Sequence, residues 1–531
     1  MRLLAILSIV LAIFALDRCD GLRILGLFPL NGKSHWMMGQ RLLTSLAERG
    51  HHVDVVTHFL TKAPPATYRE ISLEGTMEPV VNNLNASILP RFQNTNFQHL
   101  VYMAGNRTCD LFKVPQLQEL INNPPKNPPY DVIVLELFVL PCYLAFGRHL
   151  NLPIVGVMTT NFQDWVSHLT GNPHNPSFVP NLFLSLSQPM TFWERVMNTF
   201  VTNKVRRDLQ YYMSQQSDYV KQYFNIDESI AELHKGIAAI LVNSHHSIDG
   251  IGQFTQGVIE VGGLHVNEES DPLPQDLQKW MDESTHGCLL FTFGSMVRIE
   301  TFPRPVLETF YKVFEKIAPV RVLMKIARKE DLIPGLPKNV LTKSWIPQVS
   351  VFKHKNTKGF ITHGGLMSMQ EAVYFGIPLI GIPLFGDQPK NMKIGASKKI
   401  AINLGSVENV TVDTLYDAIN AILHDQTYRN NMKRISHLFK DRPMTAADTA
   451  VYWTEYVARN GFALQSPAIH LAWWQQNLLD VYAFMLVCFA AAFFVVTALM
   501  FFVLRKLIKY FRSNGSCPKK EKGSSESKKR K

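Results

Sequence analysis

Residues 345–388 read WIPQVSVFKHKNTKGFITHGGLMSMQEAVYFGIPLIGIPLFGDQ and contain the pattern that decides the fold. Within them, Gly359 to Thr362 predicts a short buried strand, Met367 to Tyr374 a helix, and Leu379 to Ile382 a second strand. The turn from Thr362 to Ser368 joins the first strand to the helix and contains two adjacent glycines. A strand, a helix and another strand in this order predict a parallel β-α-β unit.

The same alternation extends over most of the chain and predicts two α/β domains, at 22–264 and 277–460. A polar, proline-containing linker at 265–276 separates them, and a membrane-proximal segment follows at 461–481. Tandem domains of this class enclose a cleft at the carboxyl ends of their strands, where open α/β folds bind ligands. The other predicted strands are Leu22–Phe28, Val53–Thr57, Val132–Leu135, Ile154–Val157, Ile240–Asn243, Leu289–Phe293 and Arg321–Lys325. Helices are predicted at His35–Arg49 and Val306–Lys316, and Trp345 is predicted to lie at the end of a further strand.

The formal charge of +11 is concentrated at one end of the chain. Residues 505–531 contain eleven basic and two acidic side chains, which gives +9. The first 21 residues are neutral, so residues 22–504 carry only +2. A nucleic-acid-binding face on the main body therefore has no compositional support.

Two apolar stretches predict the membrane topology. Tyr482 to Leu504 is 23 residues without a charged side chain, enough for a helix of roughly 35 Å across a hydrocarbon core of about 30 Å. A buried core helix is the alternative. The basic residues from Arg505 onward are expected to stay cytoplasmic. Residues 1–21, with an apolar run from Leu3 to Leu16, predict a secretory signal. The chain is therefore predicted to be a type I membrane protein.

Short motifs in the chain fit this topology. Asn85, Asn106 and Asn409 each begin an Asn-x-Ser/Thr triplet in the predicted luminal body, whereas Asn514 is expected to stay unmodified on the cytoplasmic side. The final residues 528–531, KKRK, resemble the dilysine signal for return to the endoplasmic reticulum; a solvated basic end that touches anionic lipid is the alternative. The three luminal cysteines are Cys109, Cys142 and Cys288, so at least one is unpaired within the chain, and their pairing stays open.

Three catalytic motifs are excluded. Gly32-Lys33-Ser34 resembles the end of a P-loop, but the preceding glycine is missing at position 27. His363-Gly364-Gly365 resembles an esterase oxyanion loop, but no G-x-S-x-G elbow is present. No two aspartates are separated by one residue, which excludes the D-x-D clasp for a metal diphosphate.

The segment 345–388 resembles the signature of the UDP-glycosyltransferase family, which includes the UDP-glucuronosyltransferases. The resemblance implies a GT-B fold, with two Rossmann-like domains that face a cleft and one C-terminal transmembrane helix. It extends over nearly the whole chain and is typical of the animal membrane-bound members. Phe293-Gly294-Ser295-Met296 resembles the family's second diphosphate-contact loop. The implied UDP-sugar contacts are Gly294, Ser295, Trp345, Gln348, His363, Gly365, Ser368, Glu371, Asp387 and Gln388.

The chemistry of these residues agrees with the resemblance. Trp345 offers a flat apolar face to a nucleotide base, and the glycine turn before Ser368 directs a helix N-terminus at a diphosphate. His363 and Ser368 add donors. Glu371 can accept hydrogen bonds from ribose hydroxyls. Asp387 and Gln388 supply an acceptor and a donor for the hydroxyls of the sugar.

The catalytic base is expected in the first domain. Transfer to a hydroxyl needs a base, and His35, just after the first strand and its loop, matches the catalytic histidine of the family. The family usually supplies an aspartate to orient this imidazole; the matching position here is Glu136, which has a longer side chain.

A second departure from the family points to the invertebrate branch. Many plant and vertebrate members have an asparagine in the glycine turn where this chain has Met367, so backbone donors or Ser368 must contribute more.

The resemblance implies an inverting UDP-dependent hexosyltransferase in the membrane of the endoplasmic reticulum. Glucose is the favoured sugar and glucuronic acid the second choice, with a small lipophilic hydroxyl compound as acceptor and no metal or other cofactor. The membrane and a second copy of the chain are the other expected partners. The alternative is a membrane-anchored nucleotide-sugar-binding or chaperone protein that has lost catalysis.

The apolar stretch from Pro173 to Trp193 has three interpretations. It lines an acceptor pocket, rests on the membrane, or forms an extra patch of core.

Overall fold

The computed structural model describes residues 21–92, 96–269 and 272–515. The predicted signal peptide and the dilysine end therefore lie outside the described residues, apart from Gly21. The chain divides into two compact units, one that ends at Ile469 and one that begins at His470.

The first sheet is parallel throughout, and its strands follow the order β3-β2-β1-β4-β5-β6-β7. Its strands are β1 (Arg23–Phe28), β2 (His52–Thr57), β3 (Tyr68–Ser72), β4 (Val132–Glu136), β5 (Ile154–Met158), β6 (Ile237–Val242) and β7 (Val258–Glu260). The α-helices of six or more residues in this half are α1 (Lys33–Glu48), α2 (Pro115–Asn122), α3 (Ala145–Leu150), α4 (Phe192–Ser214) and α5 (Ser217–Phe224).

The second sheet is also parallel, in the order β10-β9-β8-β11-β12-β13. Its strands are β8 (Cys288–Thr292), β9 (Arg321–Lys325), β10 (Val340–Lys343), β11 (Thr357–Thr362), β12 (Leu379–Gly381) and β13 (Ala401–Asn403). The longer helices are α6 (Gln275–Asp282), α7 (Arg304–Lys316), α8 (Gln348–Lys353), α9 (Leu366–Phe375), α10 (Gln388–Ser397), α11 (Val412–His424), α12 (Gln426–Lys440) and α13 (Ala446–Asn460). Shorter helical turns are Phe97–Leu100, Arg107–Cys109, Ile230–Leu233, His246–Asp249 and Trp473–Gln476.

The apolar runs of the inner strands are explained by burial on both faces of each sheet. In β1, Leu25 and Leu27 pack into one hydrophobic cluster, whereas Ile24 packs into a different cluster. In β8, Leu289 and Leu290 divide between two clusters in the same way. Helices cover both faces, as the sequence predicts for doubly wound domains.

Helix α13 packs against the first domain, although the sequence assigns it to the second. It contacts α1, and Arg49 forms a salt bridge with Asp448 at 2.7 Å. His51 reaches Glu455 at 3.0 Å. The chain thus returns to the first domain before residue 460, and the end of the second predicted domain is not a boundary in packing.

The stretch from Pro173 to Trp193 divides between core and surface. Leu182 and Leu186 are buried, the first of them in the core of the first domain. Phe192 and Trp193, the first residues of α4, are exposed.

The second unit contains α14 (Leu479–Asn514), which includes the predicted span 482–504. Its most apolar window has a mean hydropathy of 2.7, and none of its residues is buried in the protein. Among the described residues, it is the helix that is long and apolar enough to cross a membrane.

Candidate active site

The first wall of the cleft contains His35 and Glu136. His35 lies in the first turn of α1, and Glu136 is the last residue of β4, so both lie at the carboxyl edge of the first sheet. Nδ1 of His35 is 2.6 Å from Oε1 of Glu136, and the glutamate is fully buried. The longer side chain of glutamate therefore still reaches the imidazole.

The partners of Nδ1 select one form of the neutral imidazole. Thr159 follows β5, and its Oγ1 also lies 2.8 Å from Nδ1 of His35. Because a carboxylate only accepts, the proton of the neutral ring belongs on Nδ1. Nε2 of His35 has no hydrogen-bond partner among the residues that the structure describes, so its lone pair is available. Phe138 contacts the ring edge-on, with 5.1 Å between centroids.

The second wall is formed by two tight loops at the carboxyl edge of the second sheet. Gly294, after β8, has φ of 78°, and a Cβ added there would lie 2.8 Å from the His363 ring. A Cβ at Gly365 would meet the same ring at 2.8 Å. His363 is thus held between two glycines, and Gly365 directly precedes α9. Ser295 extends the first loop and is partly exposed.

A lysine that the sequence analysis missed lies behind these loops. Lys325 ends β9, is buried, and donates from Nζ to the carbonyl oxygen of Gly294 at 2.9 Å. Burial lowers the pKa of Lys325 to about 8, against an opposing effect of Glu300. Burial, with a smaller effect of Lys325, lowers the pKa of His363 to about 4. His363 is therefore neutral at physiological pH, and the lysine supplies the positive charge at this loop.

Residues 82–84 of the first domain form hydrogen bonds with the loop that contains Ser295. The amide of Asn82 donates to the carbonyl of Ser295 at 2.8 Å, and the amide of Leu84 donates to Met296 at 3.0 Å. Nζ of Lys325 also donates to Oδ1 of Asn82. The position of this loop therefore depends on both domains.

Three of the predicted nucleotide contacts, Gln348, Ser368 and Glu371, form one hydrogen-bonded group. Trp345 follows β10 and is 52% exposed, which leaves its face available for stacking. Gln348, the first residue of α8, donates from Nε2 to the Glu371 carboxylate and, at 3.2 Å, to Oγ of Ser368. Burial raises the pKa of Glu371 to about 7, although Gln348 opposes this shift.

Asp387 and Gln388 lie at the start of α10. Oε1 of Gln388 accepts from the amides of Leu384 and Phe385, so its Nε2 remains a donor. Oδ2 of Asp387 accepts from Asn391 at 2.8 Å. Burial raises the pKa of Asp387, and the hydrogen bond from Asn391 is the largest effect that opposes this shift.

No group of three histidine, cysteine or acidic residues that could hold a metal ion occurs within residues 21–92, 96–269 and 272–515. The side chains named above are donors and acceptors suited to an organic diphosphate and a sugar.

The comparisons with known proteins identify the family. Residues 25–513 match the family model described as UDP-glucoronosyl and UDP-glucosyl transferase. The chain belongs to this family. Members of this UDP-glycosyltransferase family use the UDP-sugar as a co-substrate, and the protein is a UDP-sugar glycosyltransferase.

The alignments with relatives in the family cover nearly the full length of both chains. The chain is 34% identical over 524 residues to UDP-glucosyltransferase 2 of Dactylopius coccus, which covers 97% of this chain and 99% of the relative. It is 28% identical over 509 residues to UDP-glucuronosyltransferase 2A3 of Mus musculus, with coverage of 92% and 94%.

The GT-B fold is supported by solved structures. UGT2 of Phytolacca americana, complexed with UDP-2fluoro-glucose and pterostilbene, aligns with a TM-score of 0.55 at 16% identity and covers 83% of this chain and 100% of that chain. The glycotransferase of kitacinnamycin gives the same TM-score and identity, over 83% of this chain and 98% of that chain.

The three sequons differ in their surroundings. Asn409 is exposed, and Oδ1 of Asn85 accepts from Arg298 at 3.1 Å. Asn106 lies in helical structure, its Oδ1 accepts from Gln216, and Thr108 of its sequon is fully buried.

The cysteine pairing that the sequence left open is also defined. Cys109 and Cys142 form a disulfide, and Cys288 is a buried free cysteine.

Proposed function

We propose that the protein transfers glucose from UDP-glucose to a hydroxyl of a small lipophilic acceptor, with inversion at the anomeric carbon and with His35 as general base. The single observation that carries this proposal is the contact of 2.6 Å between Nδ1 of His35 and Glu136. It leaves Nε2 of His35 without a hydrogen-bond partner among the described residues. A base in this position has an open acceptor lone pair and a fixed orientation.

In the proposed reaction, Nε2 of His35 removes the proton of the acceptor hydroxyl as its oxygen attacks the anomeric carbon. The Glu136 carboxylate stabilises the imidazolium that forms. Asp387 and Gln388 hold sugar hydroxyls, so the α-linked donor presents the face opposite UDP. Attack there yields a β-glycoside.

The departing UDP gains negative charge, which the second domain neutralises. Amide donors at the start of α9 and the Gly294-Ser295 loop meet the diphosphate. Lys325, whose Nζ donates to the Gly294 carbonyl at 2.9 Å, adds a full positive charge behind that loop. Trp345 stacks on the base, and Ser368 and Glu371 approach the phosphate and the ribose.

Glucose is favoured over glucuronic acid because of the relatives. The insect relative named a UDP-glucosyltransferase is 34% identical, whereas the mouse UDP-glucuronosyltransferase is 28% identical. UDP-glucuronic acid, whose sugar has a carboxylate, is the alternative donor that the assay tests.

The experiment incubates membranes that contain the full chain with UDP-glucose or UDP-glucuronic acid, a chelator and a panel of phenols. UDP release and the anomeric configuration of the product are measured. We expect turnover with UDP-glucose and a β-linked product. Binding of UDP without release from either donor would favour the binding-protein alternative, and an α-linked product would contradict inversion.

We also propose that the body of the chain is in the lumen of the endoplasmic reticulum, anchored by α14 in a type I orientation. The Cys109–Cys142 disulfide suits an oxidising compartment. Asn409 is the sequon most accessible to the glycosylation machinery, and Asn106 the least. The test compares the glycosidase-sensitive mass of the Asn409→Gln and Asn106→Gln variants; an unchanged mass for Asn409→Gln would contradict the proposal.

A further inference from the structure

A buried lysine lies between the two domains. Lys390 is the third residue of α10, the helix that begins with Gln388, and it is 8% exposed. Its Nζ donates to the carbonyl oxygen of Pro180 at 3.2 Å. Pro180 belongs to the first domain, so a charged side chain of α10 reaches the opposite domain. An ammonium group that is removed from water needs such partners, because burial of an unpaired charge is costly.

The carbonyl that accepts from this lysine is held by a network of amide side chains. Nδ2 of Asn198, on α4, donates to the carbonyls of Pro176 and Val179 at 2.8 and 2.9 Å. Oδ1 of Asn198 accepts from the backbone amide of Asn181 at 2.8 Å. Both asparagines are fully buried. The backbone on both sides of Pro180 is therefore fixed to α4, and its carbonyl has a defined position.

Carboxyl groups of both domains act on the charge of Lys390. Asp164 and Asp249 belong to the first domain, and Asp387 directly precedes α10 in the second. Burial lowers the pKa of Lys390, and these three carboxylates oppose the shift, Asp249 most strongly. Burial raises the pKa of Asp164 to about 6, and Lys390 is the largest effect that opposes this shift. One ammonium group thus balances carboxylates from two domains.

The start of α10 is also connected to the glycine turn. Nδ2 of Asn391 donates to the carbonyl of Gly364 at 3.0 Å and to Oδ2 of Asp387 at 2.8 Å. Asn391 follows Lys390 directly, so two consecutive side chains connect the start of α10 to different domains. Asp387 and Gln388 lie in the same turn. Their position is therefore set from the second domain by Asn391 and from the first domain by Lys390.

We propose that Lys390 is a positioning residue for glycosyl transfer, which fixes the sugar-binding start of α10 to the domain that contains His35. This inference rests on the proposed contacts of Asp387 and Gln388 with the sugar. The base is in one domain and the sugar contacts are in the other, so attack on the anomeric carbon requires a fixed distance between the two. The contact of Lys390 with the Pro180 carbonyl supplies that constraint, and Lys390 acts through α10 instead of through the substrates.

The first experiment separates nucleotide binding from the chemical step. The full chain is placed in nanodiscs, and Lys390→Met is compared with the native enzyme for UDP affinity by calorimetry and for kcat with UDP-glucose and a phenol. Lys393→Met, at an exposed lysine of the same helix, is the matched control. We expect Lys390→Met to retain its affinity for UDP, whose proposed contacts lie outside α10, and to lose about tenfold or more in kcat. The control should retain both.

A native kcat in Lys390→Met would overturn the proposal. A parallel loss of UDP affinity would also overturn it, because the lysine would then support the fold of the second domain instead of the position of the sugar. An equal loss of kcat in Lys393→Met would have the same consequence, since that side chain has no contact with the first domain to lose.

The second experiment does not depend on catalysis. In a Cys488→Ala, Cys517→Ser background, spin labels are attached at Ser185→Cys and Ser397→Cys. Ser185 follows Pro180 in the first domain, Ser397 is the last residue of α10, and both are exposed. The distance between the two labels therefore reports how firmly α10 is held against the segment that accepts from the lysine.

We expect a narrow distance distribution with native Lys390, a broader one with Lys390→Met, and no change with Lys393→Met. Identical distributions for the three proteins would overturn the proposal, even if the transfer of glucose is confirmed. A broader distribution in Lys390→Met, together with no transfer of glucose by the native enzyme, would support the interdomain contact and contradict the proposed function alone.

Discussion

The two walls of the cleft are built differently. On the first wall, one imidazole contacts one carboxylate at 2.6 Å; His35 lies in the first turn of α1, and Glu136 is the last residue of β4. On the second wall, the proposed diphosphate contacts are divided among two glycine loops, a helix N-terminus and the buried Lys325. We therefore expect single substitutions on the first wall to reduce activity severely and single substitutions on the second wall to reduce it less.

The first wall should give the largest effect. His35→Ala removes the proposed base and is expected to lower kcat by about 10²–10⁴-fold, with the affinity for UDP unchanged. Steady-state kinetics and calorimetric titration with UDP provide the two measurements. Loss of UDP affinity in parallel would mean that the histidine supports the fold of the cleft instead of the chemistry.

Substitutions of Glu136 test whether His35 and Glu136 act together in catalysis. Glu136→Gln retains the size but removes the charge that stabilises the imidazolium, so we expect a fall in kcat of about 10²-fold. Glu136→Asp keeps the charge on a shorter side chain, so its kcat should lie between that of Glu136→Gln and that of the native enzyme. Equal rates for the glutamine variant and the native enzyme would separate Glu136 from catalysis.

On the second wall, Gly294→Ala should act on donor binding. The new Cβ would lie 2.8 Å from the His363 ring at a backbone φ of 78°, and strain of about 1–2 kcal/mol corresponds to a rise in donor KM of about tenfold. Gly405→Ala is the control, since Gly405 has a φ of 73° but no heavy atom within 4 Å of its added Cβ. A similar KM for both variants would refute the role of the close approach.

The smallest effect is expected from Lys325, through pH. Its pKa of about 8 means that the positive charge is present below pH 8 and is lost above it. We therefore expect kcat/KM for the UDP-sugar to decline above about pH 8 by a few-fold. Lys325→Arg keeps its charge and should abolish that part of the decline. An identical profile for both proteins would exclude the lysine from donor binding.

The sequence predicted the inner strands of both sheets but not their edges. Bounds were predicted for β1, β2, β4, β5 and β6 and for β8, β9, β11 and β12, which are all buried on both faces. The strands without predicted bounds, β3, β7, β10 and β13, are the four edges. Edge strands are short and partly exposed here, so they lack the apolar run that marks a strand with two buried faces.

The candidate site was predictable where a local pattern specified it. The segment 345–388 and the histidine after β1 follow such patterns, and the structure brings them to the carboxyl edges of the two sheets. Thr159, Lys325 and Asn82 were missed because their roles depend on strand order and on a contact between domains. Only the order β9-β8-β11 brings Lys325 beside the glycine loops that follow β8 and β11. No spacing in the sequence encodes that neighbourhood.

The central claim is that Nε2 of His35 removes a proton from the acceptor. The most direct measurement compares kcat of the native enzyme and His35→Ala across phenols of graded acidity at one pH. The account predicts a large loss for weakly acidic phenols and a loss that shrinks toward zero for phenols already ionised in the assay. An equal loss along the whole series, or none, would contradict it.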